Sequence, residues 1–353
     1  MTGKRFYLDI HAIQTLPPSN VNRDDTGSPK TAVYGGVNRA RVSSQSWKRA
    51  MRQYFLAESA EDLGVRSLNV IHYVAEKITA EDPSVQEETA MKMAEKVFNH
   101  AGIKTKDQKT RALFFLGRKQ AEMLASAALH EETDKKALQQ IFRENPSVDI
   151  ALFGRMVADD PTLNEDASAQ VAHAISTHEV RTEFDFYTAV DDLAPEDNSG
   201  AGMLGTIEYN SSTLYRYANV AVHELARQLG NKEQTIEAVK LFIRAFANSM
   251  PTGKSNTFAN QTLPQLLMIN IRQDRPVNLV TAYEKPVKVS GGNVQPSIQR
   301  LFEEVKKTEK FVQPPVKSLY VTEEETEKPE WAVEEENISA LITDFAEAAE
   351  KLL

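Results

Sequence analysis

The chain has 353 residues, 41% of them hydrophobic, enough to bury a sizeable core in two or so structural units. It has no cysteine, which excludes disulfides, thiolate zinc sites and a cysteine nucleophile; with no signal-peptide pattern and no run long enough to cross a bilayer, a soluble cytoplasmic protein with no membrane partner is expected. The net charge of −9 is unevenly placed: residues 321–353 carry eleven acids against Lys328 and Lys351 and account for all of it, whereas residues 1–52 carry nine bases against Asp9, Asp24 and Asp25.

Phe6, Leu8, Ile10 and Ala12 alternate with Tyr7, Asp9 and His11, which predicts a half-buried strand. A polar loop, Thr15 to Asn38, follows, broken by Pro17, Pro18, Gly27, Pro29, Gly35 and Gly36; loops of that length tend to be functional or disordered. Next comes RARVSSQSWKRAMR, Arg39 to Arg52, with five basic side chains and no acid, which points to a polyanionic ligand. Ser43, Ser44 and Ser46 are good N-cap residues, so a helix is expected over Gln45 to Phe55, and its positive end suits a phosphate. Lys48 and Arg52 share one face with Arg49 beside them, while Trp47, Met51 and Phe55 form the face that should dock on a core.

Residues 60–178 read as a helical insertion with its own small core, most clearly at 86–99, 107–129 and 134–144. Strand character returns at Glu183 to Val190 and Thr213 to Val222, and between them Asp191 to Gly205 reads as an extended hairpin or projecting arm. A helix is expected over Lys232 to Asn248, with Ile236, Val239, Ile243 and Phe246 on one face. Leu266 to Ile271 reads as a final buried strand, and Ser297 to Lys307 and Ile338 to Leu352 as closing helices. Thr322 to Glu336 reads as solvated acidic surface. Without the insertion the order is strand, helix, strand, strand, helix, strand. That is an α+β, ferredoxin-like (RNA-recognition-like) βαββαβ arrangement, which directs attention to an open sheet face and the loops at its edge.

Four constellations could carry chemistry. Thr252-Gly253-Lys254-Ser255 resembles the end of a phosphate-binding loop, but Asn248 stands where that pattern needs glycine; Lys254 could still reach a backbone phosphate. The seven histidines are too dispersed for a metal site and read as structural. Asp24 and Asp25 form the acidic pair near the basic region: they cap the loop, or they hold Mg²⁺ for cleavage of RNA in a metal-dependent ribonuclease. Phe184, Phe186 and Tyr187 at the arm, and Tyr215 and Tyr217 on a strand, are core residues or stacking surfaces for bases.

The stretch NRDDTGSPKTAVYGGVNRARVSSQSWKRAMR (22–52) closely resembles the CasC family, the backbone subunit of the type I-E CRISPR Cascade complex. The likeness continues in DIALFGRMVADDP (149–161), VAHAISTHEV (171–180), FDFYTAVDDL (184–193), LGTIEYNSSTLYRYANV (204–220) and EKPVKVSGGNVQPSIQ (284–299). The resemblance implies a non-catalytic protein without cofactor or metal. Many copies would polymerise along a CRISPR RNA, beside large, small and guide-end-capping subunits, and the guide would pair with target DNA. It implies a hand: a palm of residues 1–59 and 213–353, with an acidic C-terminal helical segment, fingers at 60–178 and a β-hairpin-like thumb at 181–212. The grip on the guide backbone would then fall to Arg23, Lys30, Arg41, Ser43, Gln45, Lys48, Arg49 and Arg52. Phe186, Tyr187, Thr188 and Val190 would be the thumb's base-displacing wedge, opposite Met156, and Lys135 and Lys136 would touch target DNA.

Overall fold

The computed structural model describes residues 5–58, 63–190, 200–288 and 290–353, with the side chains of 190 and 200–204 outside that description. The first strand, β1 (Tyr7–Ser19), runs further than its alternation predicts. It passes Pro17 and Pro18, where the register with its partner shifts between Leu16 and Ser19 and no regular ladder bond is demanded of the prolines. The expected long loop shrinks to residues 20–30. Its second half is instead a hairpin of β2 (Thr31–Tyr34) and β3 (Val37–Val42), turned at Gly35 and Gly36. Their φ values of 61° and 79° are the left-handed pair that a two-residue hairpin turn requires. Helix α1 (Ser44–Glu58) starts where the serines predict and buries Trp47, Ala50, Met51 and Phe55.

A helical unit follows: β4 (Gly64–Ser67), α2 (Val70–Glu81), α3 (Glu87–His100), a hairpin of β5 (Thr105–Lys106) and β6 (Lys109–Thr110), β7 (Phe114–Gly117), α4 (Arg118–Leu129), α5 (Lys135–Arg143) and α6 (Val148–Phe153). It has its own core, in which the rings of Phe98, Phe114 and Phe142 pack edge-on at 5.5 to 5.9 Å. The helix expected over 107–129 begins only at Arg118. Asp107 and Gln108 adopt positive φ in the β5–β6 turn, and the Phe-Phe-Leu run that follows pairs as a strand with β4.

The chain then returns to the main sheet through β8 (Ala169–Val171) and β9 (Ala174–Ser176), before β10 (Glu183–Val190), β11 (Gly200–Ala221), α7 (Val222–Leu229), α8 (Lys232–Asn248) and a single-turn α9 (Ser255–Phe258). It closes with β12 (Leu266–Arg272), α10 (Val294–Thr308), β13 (Lys317–Thr322), β14 (Val333–Glu334) and α11 (Ile338–Leu352). The sheet order is β14-β13-β12-β1-β11-β9-β3-β2, antiparallel except for the β13–β14 pair. The βαββαβ arrangement holds, with one correction to the expected strands: the second strand is β8 and β9, not Glu183–Val190. The latter pairs only with the outer part of β11. Two three-residue strands split at Ala172-His173 carry too little alternation to be read as one. Nor is β12 the last strand, since β13 continues the sheet beside it.

Both sheet faces are covered over the central strands. Leu8, Ile10 and Ala12 of β1 point to α1, α8 and α11, against Phe242 and Phe345. Ile13, Tyr215, Tyr217, Met268 and Tyr320 point the other way, beneath Ile298, Leu301 and Phe302 of α10. The open sheet face expected from the sequence is therefore sealed, and Tyr215 and Tyr217 are core residues. Their hydroxyls enter a buried network: Tyr217 donates to Asp9 Oδ1 at 2.7 Å, and Tyr215 lies 2.9 Å from His11 Nδ1. Burial raises the Asp9 carboxyl to about 7 and lowers the His11 imidazole to about 3.

Candidate nucleic-acid interface

The basic segment is built on a tightly fastened loop. Asn22 Oδ1 accepts the Ser43 backbone N–H at 2.8 Å, and Ser43 Oγ accepts the Ser46 N–H at 3.4 Å, so loop and helix start are one piece. Asn20 donates to the carbonyls of Gly27 and Glu208, which ties the loop to β11. Across the gap, residues 251–254 press on this loop so closely that a Cβ on Gly253 would stand 2.2 Å from the Val21 carbonyl oxygen. The glycine thus brings Lys254 beside the loop. Lys254 itself precedes only the four residues of α9, so the segment is not a phosphate-binding P-loop.

Two open clefts flank α1. One, of about 580 Å³, is lined by Arg23, Arg49 and Lys254 together with Asp24, Asp25 and Ser46. The other, of about 480 Å³, is lined by Gln45, Lys48, Arg49, Arg52 and Arg66, with Leu113, Phe115, Phe153 and Met156 as apolar wall. Arg49 is exposed and belongs to both. Lys30 and Arg41 line a third, small recess, where Arg41 donates from Nε to the Thr31 carbonyl and stands 3.3 Å from His173. Burial, and then the charges of Arg41 and Lys30, lower the His173 pKa.

The cations are not equally free. Lys48 is half buried, its ammonium 5.7 Å from the Phe153 ring centre, and desolvation lowers its pKa. Arg52 is committed elsewhere: Nε donates to Asp149 at 3.1 Å, Nη2 to the Gly64 carbonyl, and the guanidinium lies 4.3 Å from the Phe115 ring centre. Asp149 is buried and also accepts from the Gly64 N–H and the Ser147 hydroxyl. Arg52 therefore joins the helical unit to α1 instead of offering its charge freely.

Sequence reasoning missed two buried arginines that hold the site. Arg216 stacks 3.7 Å from the Trp47 ring centre and donates to Gln14 and the Phe246 carbonyl, with no carboxylate against it among the described residues; burial lowers its pKa to about 9. Arg155 donates to the carbonyls of Leu163, Phe115 and Phe142 and to Gln120 Oε1. With Arg155 and Val157 buried on either side, Met156 is held outward, 82% exposed. The signal available was the GRM turn itself, since Gly154 has φ 78°.

The Asp24 carboxylate is used within its own loop. Its Oδ1 accepts the Thr26 hydroxyl and the N–H groups of Thr26 and Ser28, the hydroxyl bond first among the causes that hold its pKa down. Among the described residues no group of three His, Cys, Asp or Glu side chains could hold a metal ion. The loop-capping role of Asp24 is the one this geometry supports, and the ribonuclease reading has no support.

On the arm, Phe184 and Phe186 are about two-thirds exposed and Tyr187 less so, its ring lying over Gly205 across the hairpin. Thr188 is exposed, and the Val190 side chain lies outside the described residues. Lys135 and Lys136 are exposed at the start of α5, with Lys135 3.9 Å from Asp160. Neither these lysines nor the arm residues line the clefts beside α1.

In this βαββαβ sheet, covered on both faces over its central strands, the cations gather at the edge loops and in the open clefts beside α1. The family described as CT1975-like protein matches residues 8–345, and the chain belongs to that family. It is similar to a chain of a solved structure described as "CRISPR RNA-guided surveillance complex, pre-nicking", with 35% identity and a TM-score of 0.83 over 97% of this chain and 100% of that one. A second, described as "CRISPR RNA-guided surveillance complex", is 30% identical with a TM-score of 0.76, over 97% of this chain and 99% of that one. No curated protein matches the chain. No helix among the described residues is long and apolar enough to cross a membrane.

Proposed function

We propose that this chain is a non-catalytic backbone subunit of a CRISPR surveillance complex, of type I-E by the sequence likeness, with several copies arrayed along one CRISPR RNA. Each copy holds the guide's sugar-phosphate track with Arg23, Lys30, Arg41, Gln45, Lys48, Arg49 and Lys254 at the Ser43-capped start of α1, and leaves base edges free to pair with target DNA. The exposed Phe186 and Tyr187, with Thr188 and Val190 on the same strand, displace a guide base at regular intervals against Met156 of a neighbouring copy. Lys135 and Lys136 meet the target DNA. The large, small and guide-end-capping subunits complete the particle.

The observation that carries the reading is the position of Arg49: exposed, in the second turn of α1, and shared by two clefts that between them hold Arg23, Lys254, Gln45 and Lys48. Both relatives come from RNA-guided complexes, which supports the same ligand here. The test is the double substitution Lys48→Ala with Arg49→Ala, judged by guide retention for three unrelated spacers and by the melting curve of the purified chain. Retention should fall alike for all three spacers with melting unchanged. Wild-type retention, or loss for one spacer alone, overturns the reading.

A further inference from the structure

We propose that His173 is a positioning residue of the guide grip, its neutral ring holding the Arg41 guanidinium so that the open end of the fork meets a phosphate; this rests on the guide reading above. The two side chains meet across neighbouring strands. Arg41 lies on β3 opposite Ile175 of β9, and His173 stands exposed at the break between β8 and β9. Arg41 Nη1 lies 3.3 Å from His173 Nδ1. A guanidinium can only donate, so Nδ1 carries the lone pair and the ring is neutral, with its proton on Nε2. Arg41 Nε donates to the Thr31 carbonyl at 3.2 Å. Two acceptors on different strands therefore fix the plane of the guanidinium, while Nη2 meets no acceptor among the described residues. A planar fork held in this way and still open suits a phosphate oxygen pair.

Arg39, two residues back on the same strand, is fully spent: buried, with Nε, Nη1 and Nη2 donating to the carbonyls of Tyr34, Ser176 and Tyr283. Arg49 is the opposite case, exposed and bonded to nothing among the described residues through its guanidinium. Arg41 is restrained yet unspent. Its backbone belongs to the same piece as the capped helix start: its N–H donates to the Lys30 carbonyl, the Lys30 N–H to the Asn22 carbonyl, and the Asn22 side chain holds Ser43. Ordering the fork in advance spares the guide the entropy of fixing a long side chain, about two- to tenfold in affinity.

Protonation of the ring removes the Nδ1 lone pair and sets a cation against Arg41. The charges that act on His173 are Arg41 of β3 and Lys30 of the loop, and no carboxylate bonds to it among the described residues. Partial burial, then those two cations, keep its pKa below the usual imidazole value, so the neutral form prevails near pH 7. The contribution to affinity is therefore present at neutral pH and is lost as pH falls.

The test is binding of a short fluorescent RNA that seats one copy, with the melting curve of each variant as control. At about pH 8, His173→Ala should weaken binding about two- to tenfold with melting unchanged. His173→Asn keeps an acceptor at the δ position without a titrating group, and should bind like the wild type. Arg41→Ala should weaken binding at least as much as His173→Ala, and the two together no more than Arg41→Ala alone. Additive losses, or unaltered binding by His173→Ala, overturn the proposal. At about pH 5 the wild type should bind more weakly than His173→Asn. Equal or tighter wild-type binding there overturns the proposal too, because the charged ring would then be harmless or itself a phosphate ligand. Failure of the wild type to bind the RNA sinks the guide reading, whereas normal binding by both the wild type and His173→Ala sinks this inference alone.

Discussion

The start of α1 and the β10–β11 arm both present side chains to a proposed guide, but they are supported differently. α1 is sunk into the core beside the main sheet by Trp47, stacked on buried Arg216, and is fastened at its middle by Arg52 and Asp149. The arm is a two-stranded ribbon with Phe184 and Phe186 facing outward, and such a ribbon has little stability of its own. Side chains that hold a ligand sit on a rigid element whose positions packing fixes. The arm's exposed rings sit where solvent, not packing, surrounds them, so they can change with little effect on folding.

The largest expected effect tests that rigidity. Arg216→Ala removes the stack under Trp47 and leaves Gln14 and the Phe246 carbonyl without their donor; unfolding free energy in urea should fall by about 3 kcal/mol, and guide binding with it. Arg216→Met, which keeps the bulk, should recover part of that loss. The buried pair under the sheet comes next. Asp9, raised from 3.8 to about 7, contributes stability that is complete below 3.8 and is lost as pH rises through 7. His11, lowered from 6.5 to about 3, contributes stability that is complete above 6.5 and is lost as pH falls through 3. Between about pH 4 and 6.5 the two slopes oppose each other. Asp9→Asn should unmask the histidine, so that stability rises with pH across that window by up to about 1.4 kcal/mol per unit. An unaltered pH profile would show that Asp9 and His11 do not titrate as stated.

A smaller effect separates grip from scaffold. Arg49→Ala with Lys254→Ala should leave melting unchanged and reduce the slope of log affinity against log salt by about 1.4, roughly 0.7 for each phosphate no longer neutralised. A slope equal to that of the wild type would remove both residues from the grip. The smallest effect on stability belongs to the arm: Phe186→Ala with Tyr187→Ala should change unfolding by less than about 0.5 kcal/mol. The same variant should abolish the periodic fluorescence of a base analogue placed at displaced guide positions, and retained periodic signal would assign the wedge elsewhere.

Much of this is legible in the chain. The serine-capped basic helix, α8 and the closing helices have strong periodicity and end signals, and each forms where it is expected. The failures have physical causes. β8 and β9 are three residues each, too short to alternate, so the exposed aromatic strand after them reads more strongly as the second strand of the βαββαβ sheet. The sealing of the sheet by α10 is a long-range packing event that no local pattern announces, so Tyr215 and Tyr217 are ambiguous in the sequence. Of the site, charge and helix start can be read directly. The commitment of Arg52 to Asp149, ninety-seven residues away, cannot, nor can the use of Arg216 and Arg155 as internal struts. Both depend on which carbonyls and rings the fold brings alongside.

The Asp149 carboxylate has a mechanical consequence. It accepts from Arg52 on α1 through Oδ2 and from the Gly64 N–H at the root of the helical unit through Oδ1. A load applied to that unit therefore travels through one buried charge pair into the helix that carries the proposed grip, and tension at the periphery is delivered to that helix instead of being absorbed by a slack joint.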